Sequence, residues 1–260
     1  MKLLFIADVV GKIGRNAVRE IVPDLKESGL DFVISNGENA AGGLGITPKL
    51  ANELFEAGVN VITSGNHILR RKEIIPFLGT EKRILRPANL PSRTPGSGWG
   101  IYKIKDAIKI AVVNLLGWIF IEGVCDPVEC IDNLLTKELE GIKNIIIDFH
   151  AEATAEKGAL LRYLDGRVTA LIGTHTHVQT SDATVTSRGT AFITDAGMTG
   201  PVDSVIGMDP DVALIRLKTN IPQKFKVAKG EGKLEGVIVN FDPETGKSSS
   251  IEPVRIACKK

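Results

Sequence analysis

Val168-Thr169-Ala170-Leu171-Ile172-Gly173-Thr174-His175-Thr176-His177 is the stretch that decides how this chain folds. Val168 to Ile172 is rich in aliphatic and β-branched side chains, which predicts a short buried strand. The two histidines then fall where a strand ends and a loop begins. That edge is where open α/β sheets bind ligands. Side chains alternate along extended chain, so His175 and His177 are expected on one side of the backbone. Two imidazoles on one side suit one metal ion, or two ions held close together. Taken alone, the pattern describes two exposed loop histidines equally well.

The remaining histidines change that balance. The chain has four, His67, His150, His175 and His177, and each follows an apolar, strand-like run. Histidines scattered over a surface would not collect at strand ends. Lys2 to Ala7 is the first such run, closed by Asp8, and Gly11 to Leu25 is a helix that Pro23 is expected to kink. Asp31 to Ser35 is a second strand, followed by Asn36-Gly37-Glu38-Asn39. Thr47-Pro48 reads as N-cap and first residue of a helix reaching Ala57. Val59 to Thr63 is a third strand, closed by Ser64-Gly65-Asn66-His67. Alternating strands and helices predict a parallel sheet with right-handed crossovers. The glycine turn at Gly11-Lys12-Ile13-Gly14 matches neither nucleotide-binding fingerprint.

Arg83 to Gly98, rich in Pro, Gly and Arg, is expected as a surface connection. Trp99–Ile104 and Ile108–Leu115 are expected to form a hairpin, and Asp126–Leu139 and Ala155–Leu164 helices. Asn144 to Asp148 is a further strand leading to His150, with the Asp148 side chain assigned to the opposite side. Thr190–Thr194 is a strand followed by a turn through Pro201. From Val212 onward, alternation predicts antiparallel strands.

Composition limits the function classes. At 260 residues, 43% of them hydrophobic, the chain can bury a large core. A net charge of +1 offers no electrostatic surface for nucleic acid or membrane. No stretch approaches the roughly 18 apolar residues of a membrane span, and the start resembles no signal peptide. Three cysteines without a CxxC pair fit a reducing, cytoplasmic setting rather than a disulfide scaffold or thiolate zinc site. A homo-oligomer is left open.

The polar residues at strand ends are Asp8, Glu38, Asn39, Asn66, His67, His150, His175 and His177. Carboxylate, amide oxygen and imidazole suit Fe, Mn or Zn, and this many donors suit two ions rather than one. Such pairs act on phosphate esters through a bridging hydroxide.

Gly65-Asn66-His67 and Gly173-Thr174-His175-Thr176-His177 resemble the metal-binding blocks of the calcineurin-like metallophosphoesterases. The resemblance is closer to their bacterial YmdB-type phosphodiesterase branch. It is carried by Ile6-Ala7-Asp8-Val9-Val10-Gly11, Asn36-Gly37-Glu38-Asn39-Ala40-Ala41-Gly42-Gly43 and Thr194-Asp195-Ala196-Gly197-Met198-Thr199-Gly200-Pro201. The first-strand histidine of the wider family is absent and Glu38 stands for an aspartate, as in that branch. The resemblance implies an α/β metallophosphoesterase sandwich, two mixed β-sheets flanked by helices, in one domain over residues 1–260. It implies one ion on Asp8, Glu38, Asn39 and His177, another on Glu38, Asn66, His150 and His175, and catalytic assistance from His67. Fe or Mn is expected, with Zn or Mg allowed. The implied substrates are small phosphodiesters, in particular 2′,3′-cyclic nucleotides. A phosphomonoesterase, or a regulatory protein that binds metal or nucleotide without turnover, is the alternative. Arg15, Arg70 and Arg71 are either phosphate grips or solvated helix residues.

Overall fold

The computed structural model describes residues 1–105 and 108–259. Strand β1 (Lys2–Ile6) runs into β2 (Asp8–Val9), and helix α1 (Gly11–Glu27) returns across the sheet to β3 (Phe32–Asn36). Helix α2 (Pro48–Glu56) leads to β4 (Val61–Thr63), and the short α3 (Ile74–Leu78) closes this half. Thr47 caps α2 by accepting the Leu50 N–H, with Pro48 behind it as expected. Helix α1 continues past Pro23 to Glu27. The second half holds β5 (Trp99–Lys103), β6 (Lys109–Leu116), α4 (Pro127–Asn133), β7 (Asn144–His150), α5 (Thr154–Leu164), β8 (Ala170–Thr174), β9 (Thr184–Val185) and β10 (Ala191–Ile193). β11 (Met198–Pro201), α6 (Pro210–Thr219), β12 (Gly232–Phe241) and β13 (Ser248–Ala257) complete the chain. Strands β5 and β6 pair antiparallel as expected; the turn joining them includes residues 106 and 107, outside the described residues.

Two mixed sheets result. One has seven strands in the order β2-β11-β12-β1-β3-β4 with β13 beside β12; the other has six, β5-β6-β7-β8-β10-β9. Strand β1 shows why they stack. Its alternate residues Leu3 and Phe5 pack between the sheets with Val112, Ile146 and Ile172. Leu4 and Ile6 pack outward against Val18 and Val22 of α1 and Leu54 of α2. A strand buried on both faces must be apolar, as β1 is from Leu3 to Ile6. The outer face of the second sheet is covered by Ile131, Leu160 and Leu164 of α4 and α5. The layers are thus helices, sheet, sheet, helices, the sandwich that the resemblance implied. No helix among the described residues is long and apolar enough to cross a membrane.

Three expectations are corrected. Residues 83–98 are no mere surface connection: Leu85, Arg86 and Asn89 are buried, and the Asn89 amide ties Leu116 to Cys125. The helix expected from Asp126 to Leu139 is present, its final turn from Leu134 being π-helical. Met198–Pro201 is a strand, pairing Met198 with Asp8 and Gly200 with Lys233. Residues 210–219 are helical, because Asp209 caps the Asp211 N–H and Pro210 presets the first turn.

One buried ion pair fixes the loop that follows β8. Lys157 on α5 is fully buried and donates to Asp195 Oδ2 at 3.0 Å and to the Thr174 carbonyl at 2.8 Å. Asp195 in turn accepts from the Thr176 and Gly197 N–H groups, both at 2.9 Å. Removing one partner of such a pair strands the other charge, at a cost of about 3–5 kcal/mol. Lys157→Met is therefore expected to lose about that much stability in urea denaturation, and adding Asp195→Asn should recover much of it. A loss below about 1 kcal/mol, the worth of a surface pair, would show that Lys157 does not hold this loop.

Candidate metal centre

The strand ends of both sheets meet at one place. Asp8 and Glu38 come from the first sheet, His150 and the loop after Thr174 from the second. Glu38 Oε1 lies 3.2 Å from His150 Nε2, 3.2 Å from His67 Nδ1 and 3.0 Å from Asn39 Nδ2. Its Oε2 accepts the His67 N–H at 3.0 Å. Asp8 Oδ2 accepts the His175 N–H at 3.2 Å, and Asp8 Oδ1 is 3.7 Å from His177 Nε2. Asp8 and Glu38 are both buried.

His175 and His177 are not extended as expected. Their φ values are 100° and 65°, in the left-handed region, and each such residue costs about 1–3 kcal/mol. The twist separates the two rings. His175 Nδ1 comes 2.9 Å from His150 Nε2, whereas His177 Nε2 faces Asp8 and lies 3.2 Å from Asn39 Nδ2.

Each of these three imidazoles is anchored from behind. His150 Nδ1 donates to Thr174 Oγ1 at 2.9 Å, and that hydroxyl donates to Asp148 Oδ1 at 2.7 Å. His175 Nε2 donates to Glu152 Oε2 at 3.0 Å. His177 Nδ1 donates to the Ile206 carbonyl at 2.9 Å. An anchored N–H fixes the tautomer, so the opposite nitrogen points inward with its lone pair, as metal-ligating histidines do. Ile206 is β-branched and itself at φ 47°, a strained position that aims its carbonyl at His177.

These residues fit a divalent centre. Asp8 Oδ1 is buried without a hydrogen-bond partner, which is costly unless a cation serves it. Two inward imidazole nitrogens 2.9 Å apart repel unless a proton or cation lies between or beside them. Glu38, His150 and His175 bring ligand atoms within 4.8 Å of one another. Gly65 leaves the space open: a Cβ there would lie 2.3 Å from Glu38 Oε2 and 2.4 Å from His150 Nε2.

Residues 4–254 match the model of the YmdB-like protein family. The chain belongs to that family. A relative named 2′,3′-cyclic-nucleotide 2′-phosphodiesterase, from Bacillus subtilis, is 46% identical over 98% of this chain and 97% of its own length. A solved structure described as a novel phosphatase, from Mycoplasma pneumoniae, superposes with a TM-score of 0.92 at 37% identity, covering 99% of this chain and 93% of that one. The calcineurin-like phosphoesterase YfkN of Bacillus subtilis shares the fold at a TM-score of 0.58 and 12% identity, over 99% of this chain and 90% of its own. The family sets this protein among the phosphoric ester hydrolases.

Within this YmdB-like chain, the expected residues are not all gathered. Asp8, Glu38, Asn39, His67, His150, His175 and His177 converge. Asn66 is exposed, and it is His67 that lines the cavity. Asn39 points Nδ2 at both Glu38 and His177, so an amide oxygen ligand requires the flipped carboxamide. The Asp148 side chain does not lie opposite His150 as expected. Residues two apart share a face, and Asp148 is buried beside His150, accepting from Asn36 Nδ2 at 2.9 Å and Thr63 Oγ1 at 2.5 Å. Arg15 and Arg71 brace the loop after Asn39 through the carbonyls of Ala40, Ala41 and Leu44.

The electrostatics favour positive charge at the centre. Burial opposes ionisation of Glu38, yet His150 and His67 hold it well below the ordinary carboxylate range. Burial likewise opposes a proton on His150 and His177. Glu38 outweighs it at His150 and Asp8 at His177, raising both to about 9. Burial, then His150, pushes His175 down to about 4. Asp148 is lifted by burial to about 6.

In the metal-free chain, His150 and His177 therefore stabilise the fold fully below the unfolded pKa of about 6.5, and lose that contribution as pH rises through about 9. Metal displaces those protons, so affinity should climb over the same window. Calorimetric titration of Mn into metal-free protein should show tighter binding and smaller proton release toward pH 9. Affinity independent of pH would mean that these imidazoles are not ligands.

Proposed function

We propose that this protein is a metal-dependent phosphodiesterase acting on 2′,3′-cyclic nucleotides. The observation that best supports this is the convergence of three anchored imidazoles on two buried carboxylates, Asp8 and Glu38. The name of the 46%-identical relative supports the substrate class. The chain would work as one domain, since one sheet supplies the carboxylates and the other the histidines.

Two ions are proposed. Asp8, Asn39 and His177 would hold one, His150 and His175 the other, with Glu38 between them. Asn66 joins the second set only if the Gly65–His67 turn rotates inward. Oxygen and nitrogen donors without thiolate suit Fe or Mn. When bound, the ions would supply Lewis acidity to a water and to the phosphate oxygens. The anchors from Thr174, Glu152 and Ile206 would keep the ligand nitrogens aimed without reorganisation.

His67 would act on the leaving group. Its Nδ1 faces Glu38 Oε1 at 3.2 Å, which leaves Nε2 as the nitrogen free for substrate. In hydrolysis the water oxygen bonds to phosphorus and the P–O2′ bond breaks. Protonated His67 would give its Nε2 proton to the departing 2′ oxygen, the attacking water would release one proton to solvent from which His67 is reprotonated, and the product is a 3′-phosphomonoester.

The Mn-loaded protein is expected to open 2′,3′-cyclic AMP, and His67→Ala to lower kcat by about 10²–10⁴-fold with metal content unchanged. The defect should shrink with bis-p-nitrophenyl phosphate, whose leaving group needs no proton. Turnover confined to monoesters would overturn the substrate class, and metal loss in His67→Ala would make His67 a ligand.

A further inference from the structure

The metal cavity, about 260 Å³, includes Ile206 and Phe225 in its wall beyond the histidines. The same two residues line a neighbouring cavity of about 480 Å³, walled also by Val205, Met208, Leu214 and Leu217. The two cavities thus adjoin, one holding the histidines, the other lined mainly by apolar side chains with Arg216 and Asn220. Leu214 and Leu217 on α6 stay 46% and 81% exposed, an aliphatic face with no protein packed over it among the described residues.

The wall between the cavities is built with care for position. Phe225 sits on the bare Cα of Gly43, where a Cβ would come within 2.3 Å of ring atom Cε1. Gly43 is at φ 91°, so both its conformation and its missing side chain serve this contact. The loop beneath is held by Arg15 on the Ala40 carbonyl at 2.5 Å and Arg71 on the Ala41 carbonyl at 2.6 Å. Ile206 faces both ways: its carbonyl anchors His177, and its side chain belongs to both cavities. A planar aromatic group attached to a phosphate ester would leave the metal cavity across this wall.

We propose that Phe225 and Ile206 form the nucleobase subsite of the enzyme, with the base stacked on the Phe225 ring and extending into the apolar cavity. Arg216 and Asn220, which also line that cavity, supply the polar atoms that meet the base edges. The inference rests on the cyclic-nucleotide phosphodiesterase reading and deepens it. Stacking on an aromatic ring is tolerant of base identity because every base has a π-face.

The test compares two Mn-loaded variants on two substrates, 2′,3′-cyclic AMP and the base-free five-membered diester ethylene phosphate. Phe225→Ala is expected to lower the ratio of kcat/KM for the nucleotide over the base-free ester by about 5- to 100-fold, chiefly through KM. Phe225→Trp should restore the ratio. A second readout needs no turnover: adenosine should quench the emission of Phe225→Trp and leave the emission of the parent chain, with its Trp99 and Trp118, unaltered. Quenching without hydrolysis of any diester would keep the subsite while removing the proposed activity. An unchanged ratio in Phe225→Ala, or no quenching in Phe225→Trp, would overturn the subsite.

Discussion

Two carboxylates buried out of reach of water, Asp8 and Glu38, set the terms for the rest of the molecule. Among the described residues neither has a Lys or Arg partner; the side chains around them are imidazoles and an amide. Desolvating a carboxylate is expensive, and Asp8 Oδ1 lacks even a hydrogen bond. Such a centre is stable only with positive charge at its middle. In the metal-free chain, protons on His150 and His177 provide it; the divalent ions proposed for the site would provide it in their place, because the inward nitrogens already converge.

The fold serves that constraint. Parallel strands β1, β3 and β4 of one sheet and β6, β7 and β8 of the other end at the same edge, so polar residues from distant sequence meet there. Each anchor behind an imidazole comes from a different element: Thr174 from β8, Glu152 from the turn after β7, Ile206 from the loop before α6. The left-handed backbone at His175, His177 and Ile206 stores strain. The buried Lys157–Asp195 pair and the Asp148 network hold the backbone at Thr174 and Thr176 beside it, and Lys157 is tolerated in the core because both its partners are there. Beyond the histidines, Phe225 packs on Gly43 and lines both the histidine cavity and its neighbour, where we propose that the nucleobase lies.

What could be read from the sequence was what local pattern encodes. Strands β1, β3, β7 and β8 announce themselves as apolar runs, and Asp8, Glu38, His67, His150, His175 and His177 as the polar residues that end such runs. The anchors were hidden because they act across the fold. Nothing near Thr174 in sequence links its hydroxyl to Asp148 and His150. Asp148 itself was within reach, since it shares parity with Ile146 and His150 on β7. The extended geometry expected of His175 and His177 failed because Asp195, beyond the next strand, holds the Thr176 N–H. Helix α6 carried its own signal in Asp209-Pro210, masked by exposed leucines and isoleucines that resemble strand alternation. Asn66 shows the limit of motif transfer: the pattern names the residue, while its turn faces solvent in this conformation.

The ligands we propose are the nitrogens that the anchors turn inward. Anomalous diffraction from Mn-loaded crystals tests that assignment directly. Two peaks are expected, one bonded to His150 Nε2 and His175 Nδ1, the other to His177 Nε2 and Asp8 Oδ1, with Glu38 touching both. A single peak, or coordination through the anchored nitrogens His150 Nδ1, His175 Nε2 or His177 Nδ1, would contradict it.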